Sequence, residues 1–194
     1  MTKVFTSITS PRLIKMLKAG AIGVIPTDTV YGLVAKASKR DAVQRMYKVK
    51  ERPSQPGTTI GASIGQFKEL GFPYQPLAAA NHYWPASLSV VIDASDVPNY
   101  LKTDRSSLPL RIPDSAELLT LLTLTGPLMT TSANHPGAPT ATNIKQAMAY
   151  FGDSVDFYVN SGDLGVRPPS TIIGFDKKGK IIVHRDGAVK IKSP

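Results

Sequence analysis

Short apolar stretches of strand length alternate with segments of helical period along most of this sequence, and this alternation limits the folds open to the chain more than any other feature. The strand-like stretches are "AIGVIP" (21–26), "TTIGASI" (58–64), "SLSVVID" (87–93), "LPLRI" (108–112), "PLMTTS" (127–132), "DFYVN" (156–160), "STIIGF" (170–175) and "KIIVH" (180–184). Each is only a few residues long and is bounded by glycine, proline or polar residues, which is typical of β-strands.

Segments with helical spacing separate most of these stretches. They cover residues 10–20, 41–51, 64–70, 114–122 and 142–151, and the first begins with a Ser-Pro pair suited to a helix N-terminus. Because helices and strands are mixed along the chain, we expect an α/β fold whose sheet has mixed strand directions. No repeat or linker divides the sequence, so we expect one domain over residues 1–194, with 42% hydrophobic residues to form its core.

Several classes of function are excluded or disfavoured by the composition. The chain has no cysteine, which excludes disulfides, zinc–thiolate sites and a cysteine nucleophile. Its histidines, His82, His135 and His184, lack ligand spacing, so we expect no metal site built by the protein. The GxxxxGK[ST], GxGxxG and GxSxG motifs are absent. The sequence shows neither a membrane-spanning run nor the apolar core of a signal peptide, so we expect a cytoplasmic protein by default.

The positive charge is concentrated in two segments. Lysine and arginine total 23 against 14 acids, for a net charge of +9. Residues 36–52 carry seven cations and two acids, and residues 176–194 carry six cations and two acids. Such clustering favours a polyanionic partner such as a nucleic acid, a nucleotide or phosphate. A surface charge that only keeps the protein soluble is the alternative.

Two polar clusters directly follow apolar strands, where open α/β sheets usually bind ligands. The first is "IPTDTVYGL" (25–33), which could also be an ordinary polar turn. The second is "TTSANHPGAPTAT" (130–142), in which Ser132 and Asn134 alternate and so should leave the extended chain on the same face. Their hydroxyl and amide could bind a small polar ligand or a phosphate, although the segment could also be a simple connection to the next helix.

A third cluster, "KVKERPSQPG" (48–57), places cations at a helix end. Proline disfavours helix at the preceding residue, so Lys50 should lie in the last helical turn and Arg52 in the extended exit. A guanidinium beside an ammonium suits a phosphate group. Cations that only complement the helix dipole are the alternative, and we adopt that interpretation for Lys48. "PPSTII" (168–173) and "HRDG" (184–187) add a hydroxyl and another arginine at strand boundaries.

Taken in this order, the clusters resemble the YrdC/TsaC-like threonylcarbamoyl-AMP synthase family in its single-domain form, from about residue 10 to residue 186. The matching motifs are "PTDTVYGL", a KxR pair (Lys50 and Arg52), a SxN pair (Ser132 and Asn134), "YWP", "LPLRIP", "PST" and "HRDG". The resemblance implies a twisted open α/β sheet with flanking helices around a concave basic cavity. Pro56 and Gly61 depart from the family pattern close to the implied pocket.

The resemblance also implies a reaction, in which L-threonine, bicarbonate and ATP give threonylcarbamoyl-adenylate and pyrophosphate. Downstream transferase proteins then modify tRNA, Mg²⁺ arrives with the ATP, and no membrane is involved. The carried-over catalytic residues are Lys50, Arg52, Ser132 and Asn134. Those for ATP are Arg52, Ser107, Asn134, Thr142 and Arg185, and those for threonine are Thr29, Arg111, Ser132 and Ser170. A catalytically inert module that binds tRNA or double-stranded RNA on the same fold is the alternative.

Overall fold

The computed structural model describes residues 2–51, 55–176 and 178–191. Within these ranges the strands are β1 (Lys3–Phe5), β2 (Gly23–Ile25), β3 (Gly32–Lys36), β4 (Thr58–Ile60), β5 (Leu88–Asp93), β6 (Ser107–Arg111), β7 (Leu128–Ser132), β8 (Phe157–Val159), β9 (Thr171–Phe175) and β10 (Ile181–Arg185). The helices are α1 (Pro11–Ala19), α2 (Arg40–Val49), α3 (Ile64–Glu69), α4 (Tyr74–Ala80), α5 (Asn99–Lys102), α6 (Ala116–Thr125) and α7 (Ile144–Phe151), with 3₁₀ turns at Asn81–Tyr83 and Gly152–Ser154.

These strands form one sheet in the order β1-β8-β2-β3-β7-β4-β6-β5-β9-β10. The pairs β1/β8, β2/β8, β4/β6 and β5/β9 are parallel. The pairs β2/β3, β3/β7, β4/β7, β5/β6 and β9/β10 are antiparallel. The predicted α/β fold with mixed strand directions is therefore confirmed. Each predicted strand is present, although β8 lies far across the sheet from β9 and β10.

The ends of the helices follow local sequence signals. α1 begins with Pro11 at its first position and is capped after Ala19 by Gly20, whose φ of 100° is a left-handed conformation that glycine adopts without strain. α7 is capped by Asn143, whose side chain accepts a hydrogen bond from the backbone N–H of Gln146. The helix predicted over residues 114–122, with a capping residue at its start, is α6; it runs from Ala116 to Thr125, and its capping residue is Ser115.

Four elements were not predicted from the sequence. β1, α4 and α5 are short, and a stretch of three to seven residues gives little periodicity to detect. β3 was missed because its residues, "GLVAK", are almost entirely buried and show no alternation of polar and apolar positions. As a result, the polar segment after β2 is the connection of a β2–β3 hairpin.

The sheet separates two apolar cores, so its strands are fixed from both faces. Leu33 and Ala35 of β3 face one core, while Val34 between them faces the other, as the period of a strand requires. α1 and α6 pack on the second core through Leu13 and Leu118, among others. In the part of the chain that the structure describes, no helix is both long and apolar enough to cross a membrane.

Candidate active site

Lys50 lies at the C-terminal cap of α2 and is almost completely enclosed, with 2% of its surface exposed. Its ammonium donates hydrogen bonds to the carbonyl oxygens of Ser132 and Asn134, at 2.6 and 2.5 Å, and to Asn134 Oδ1 at 2.7 Å. This residue is therefore not a solvated helix end. Lys48, in contrast, is exposed in the last turn of the same helix, as we expected.

The side chains of Ser132 and Asn134 meet, as their alternation predicted. Ser132 is the last residue of β7, and its hydroxyl donates to Asn134 Oδ1 at 2.6 Å. The amide nitrogen of Asn134 donates to the carbonyl oxygen of Ala138 at 2.6 Å, which fixes the orientation of the carboxamide. The structure thus brings together three of the four predicted catalytic residues. The fourth, Arg52, lies outside the described residues.

A buried ion pair positions Arg111 at the end of β6. Its Nη2 lies 3.1 Å from Asp28 Oδ1, and both side chains are at most 4% exposed. Asp28 Oδ2 also accepts a hydrogen bond from the Ser87 hydroxyl at 2.9 Å. Burial lowers the pKa of Arg111, and the nearby Asp28 carboxylate opposes this shift. Arg111 Nε is buried without a hydrogen-bond partner among the described residues.

The Thr27–Val30 turn places Thr29 next to this arginine. The Thr27 hydroxyl donates to the Val30 carbonyl at 2.6 Å and accepts from the backbone N–H groups of Thr29 and Val30, both at 3.2 Å. Thr29 is 5% exposed, and its Oγ1 lies 3.4 Å from Arg111 Nη1. Residues 27–30 therefore form a polar turn, which was the alternative interpretation of this cluster. The turn also orients the Thr29 hydroxyl beside the Arg111 guanidinium.

Ser170 is held from two sides at the start of β9. Arg185 donates through Nε and Nη2 to the carbonyl oxygen of Ser170, at 3.0 and 2.8 Å, and Nη2 also lies 3.0 Å from the Ser170 hydroxyl. The same hydroxyl is 3.1 Å from that of Ser89 on β5. Ser89 was not predicted, although a serine within the apolar strand "SLSVVID" is a signal that could have identified it.

Five of the predicted site residues surround one cavity of about 180 Å³. They are Thr29, Arg111, Ser132, Ser170 and Arg185. Further threonines line the same space, and the Oγ1 atoms of Thr130 and Thr131 are buried without a partner in the described structure. The cavity therefore presents hydroxyls and guanidinium groups, which can bind a small ligand with a carboxylate and other polar groups.

Three of the predicted nucleotide residues, Ser107, Asn134 and Thr142, lie outside this cavity. Ser107 lines a second cavity of about 300 Å³, and Pro56 lines both cavities, so the two adjoin. Thr142 lines neither; its backbone N–H donates to Gln146 Oε1 at 2.8 Å at the start of α7. Gly61 also lines neither cavity, and Phe67 lies beside it.

The fold and the site define a mixed α/β protein with a polar ligand cavity among the ends of its central strands. Residues 15–187 match the Sua5/YciO/YrdC family, described as "telomere recombination". The chain belongs to this family.

Curated relatives and solved structures agree with this assignment. The chain is 32% identical over 161 residues to the threonylcarbamoyl-AMP synthase of Marinobacter nauticus, covering 80% of this chain and 85% of that protein. It is 31% identical over 170 residues to that of Pseudomonas entomophila, covering 86% and 91%.

Two solved structures confirm the twisted open sheet. P. abyssi Sua5 complexed with L-threonine is 25% identical, with a TM-score of 0.81. The match covers 96% of this chain but only 57% of the Sua5 chain. E. coli YciO is 21% identical, with a TM-score of 0.82, and the match covers 99% of this chain and 98% of YciO.

Proposed function

We propose that this chain, as a single YrdC-like domain, is an L-threonylcarbamoyladenylate synthase, a nucleotidyltransferase in tRNA threonylcarbamoyladenosine biosynthesis. The observation that carries this proposal is the polar cavity in which Thr29, Arg111 and Ser170 converge beside the Lys50 and Asn134 cluster. Relatives about 31% identical over most of the chain bear the name threonylcarbamoyl-AMP synthase, and one solved relative is complexed with L-threonine.

Threonine is the ligand that we assign to the 180 Å³ cavity. Its carboxylate would accept hydrogen bonds from Arg111, whose guanidinium the Asp28 carboxylate holds in place. The hydroxyl and amine of threonine would form hydrogen bonds with the side chains of Thr29, Ser132 and Ser170, whose hydroxyls can both donate and accept. The volume suits an amino acid and is too small for a nucleotide as well.

The proposed reaction needs positioning and charge compensation rather than an enzyme nucleophile. The threonine amine combines with bicarbonate to give a carbamate and water. A carbamate oxygen then forms a bond to the α-phosphorus of ATP, and the bond from that phosphorus to the departing pyrophosphate breaks. Lys50, Arg52, Ser132 and Asn134 would hold the phosphates and the carbamate in contact.

The Lys50 ammonium donates to three oxygens of residues 132 and 134. An ammonium has three donors, so a direct bond to phosphate would replace one of these bonds. Asn134 Oδ1 is the side-chain acceptor of the three, and its release would also break the hydrogen bonds of this carboxamide with Ser132 and Ala138 but would not require the backbone to move. Arg185 and Ser107 would contact the nucleotide, and Thr142 would do so only if the start of α7 moves.

Magnesium would be bound to the phosphate oxygens of ATP and to water. The carboxylate that borders the site, Asp28, is engaged by Arg111 and Ser87 and is therefore not offered to a metal. Among the described residues, no group of three or more acidic or histidine side chains could hold a metal ion.

The direct test is release of pyrophosphate from ATP, measured with threonine and bicarbonate together and with each left out. The proposal predicts release only when both are present. If no amino acid supports ATP turnover, the proposal fails. Salt-sensitive binding to tRNA without any turnover would then favour the inert RNA-binding module. Downstream transferase proteins, direct contact with tRNA and a cytoplasmic location remain part of the proposal.

A further inference from the structure

The two adjoining cavities lie along one face of the sheet. Alternate residues of a strand point to the same face, so Ser107, Pro109 and Arg111 of β6 form one row. The first two line the 300 Å³ cavity and the third lines the 180 Å³ cavity. A ligand that starts at Arg111 can therefore extend along β6 into the larger cavity without crossing the sheet.

The 300 Å³ cavity is shallow and open, and both apolar and polar residues line it. Pro56, Val91 and Pro109 provide rigid or branched apolar surface, and the remaining lining residues are Gln55, Arg105, Ser107 and His184. Its volume is at the lower end of the range of about 300–1,000 Å³ that is usual for small-molecule sites. A flat heteroaromatic ring can pack on the apolar surface of Pro56, Val91 and Pro109, and the four polar side chains can form hydrogen bonds with the edges of that ring.

His184 lines this cavity as an exposed side chain, and its imidazole lies over Gly174 of the neighbouring strand. A Cβ atom built on Gly174 of β9 would lie 2.6 Å from His184 Nε2 and 3.6 Å from Val91 Cβ. The imidazole thus rests on the bare backbone of Gly174 and forms part of the cavity wall.

A bulge in β10 directs consecutive residues to the two cavities. The pairing with β9 shifts between Val183 and Arg185, so that Arg185 opposes Ile172, and both of these residues line the smaller cavity. His184, the extra residue, lines the larger one. Bulges change the direction of a side chain in this way. β10 therefore contributes one side chain to each cavity.

On the basis of the proposed function, we propose that His184 is a base-contacting residue, whose imidazole packs against the adenine ring of ATP in the 300 Å³ cavity. The phosphates of ATP then lie toward Lys50 and Arg185. The absence of a side chain at Gly174 leaves the space that the imidazole of His184 fills. Ring stacking is the contact expected between an imidazole and a purine base.

The test separates the contribution of the adenine base to binding affinity from that of the phosphates. Binding of an ATP analogue with a methylene-bridged α,β linkage, and of inorganic tripolyphosphate, would be measured by titration calorimetry. His184→Ala should weaken the ATP analogue about tenfold, the loss expected for one base–aromatic stack, and leave tripolyphosphate unchanged. His184→Phe should restore the affinity for the analogue to within about threefold, because it keeps an aromatic face. His82→Ala, an exposed histidine outside both cavities, is the matched control and should change neither affinity.

Gly174→Ala tests whether the position of the imidazole over Gly174 matters, and it leaves His184 itself unchanged. The added methyl group would displace the ring, so this variant should also weaken the ATP analogue and spare tripolyphosphate. Unchanged affinity of His184→Ala for the analogue, or an equal loss for analogue and tripolyphosphate, would overturn the inference while leaving the proposed function intact. A wild-type chain that binds no ATP analogue would overturn both.

Discussion

The Lys50 ammonium and the Asn134 carboxamide oxygen lie 2.7 Å apart, although 84 residues separate them in the sequence. This hydrogen bond joins the end of α2 to the segment after β7, and the Ser132 hydroxyl reaches the same oxygen. The cluster is therefore both a candidate for phosphate binding and a structural link between two elements. Variants here should affect stability and activity together.

Replacement of Lys50 tests this double role. Lys50→Ala removes the ammonium from three oxygens of residues 132 and 134. The Ser132 carbonyl keeps the Asn134 N–H and Asn134 Oδ1 keeps the Ser132 hydroxyl, so the variant should lower the free energy of unfolding by about 1–3 kcal/mol. It should also lower pyrophosphate release by about 100-fold or more, as expected when a group that stabilises developing charge is removed. Urea unfolding and initial rates measure the two effects.

Lys48→Ala is the matched control, because Lys48 lies on the same helix and is exposed. It should change stability by less than about 0.5 kcal/mol and leave the rate unaltered. If Lys50→Ala and Lys48→Ala behave alike, the enclosed lysine has no special role.

The buried ion pair gives a second prediction. Asp28→Asn leaves the Arg111 guanidinium buried without a countercharge, which should cost about 3–5 kcal/mol of stability. The double variant with Arg111→Met should recover much of this loss, because the uncompensated charge is gone. A double-mutant cycle by urea unfolding measures the coupling, and additive effects of the two substitutions would contradict the pairing.

The third prediction concerns the loss of folding stability at alkaline pH, to which Tyr158 contributes. Burial raises the pKa of its hydroxyl from 10.0 to about 12, with a further contribution from Asp153, and the hydroxyl donates to the Gly152 carbonyl at 2.8 Å. Because the pKa is higher in the folded state, the folded protein holds this proton longer than the unfolded chain does. The resulting stability is complete below pH 10 and should be lost as the pH rises through 12.

Tyr158→Phe should reduce the stability near neutral pH slightly, through the lost hydrogen bond, and should make its decline with alkaline pH shallower. Unfolding curves at a series of pH values compare the two proteins. An identical decline in both would show that Tyr158 titrates as it does in the unfolded chain.

The departure at Gly61 gives a fourth prediction. A Cβ atom there would lie 2.7 Å from Phe67 Cε1, and this phenylalanine is fully buried. Gly61→His should therefore destabilise the protein by about 1–3 kcal/mol through overpacking. Gly65→Ala on α3 is the control and should be neutral or slightly stabilising, since its nearest neighbour would be 3.4 Å away. A stable Gly61→His variant with tighter threonine binding would contradict this account.

Local order in the sequence explains why part of the site could be predicted. Ser132 and Asn134 are two residues apart after a strand, and their shared face follows from the period of a strand. Lys50 required the family resemblance, because nothing near it in the sequence indicates that α2 ends against the segment after β7.

The remaining parts depend on contacts between distant residues. Asp28 could have been taken for a turn residue, since its partner Arg111 is 83 positions away, and only the sheet order makes them neighbours. The adjoining cavities could not be foreseen either. They depend on the row of β6 side chains from Ser107 to Arg111 and on the bulge of β10, and a bulge leaves no clear signal in a single sequence.

Formation of the mixed anhydride from labelled bicarbonate tests the central claim most directly. The purified chain would be incubated with ATP, threonine and carbon-labelled bicarbonate, and the nucleotide products would be separated and analysed by mass spectrometry. We predict a labelled threonylcarbamoyl-adenylate that depends on threonine, forms with Lys48→Ala and is lost with Lys50→Ala. An adenylate without the label, or the absence of any threonine-dependent adenylate with the wild-type chain, would contradict the account.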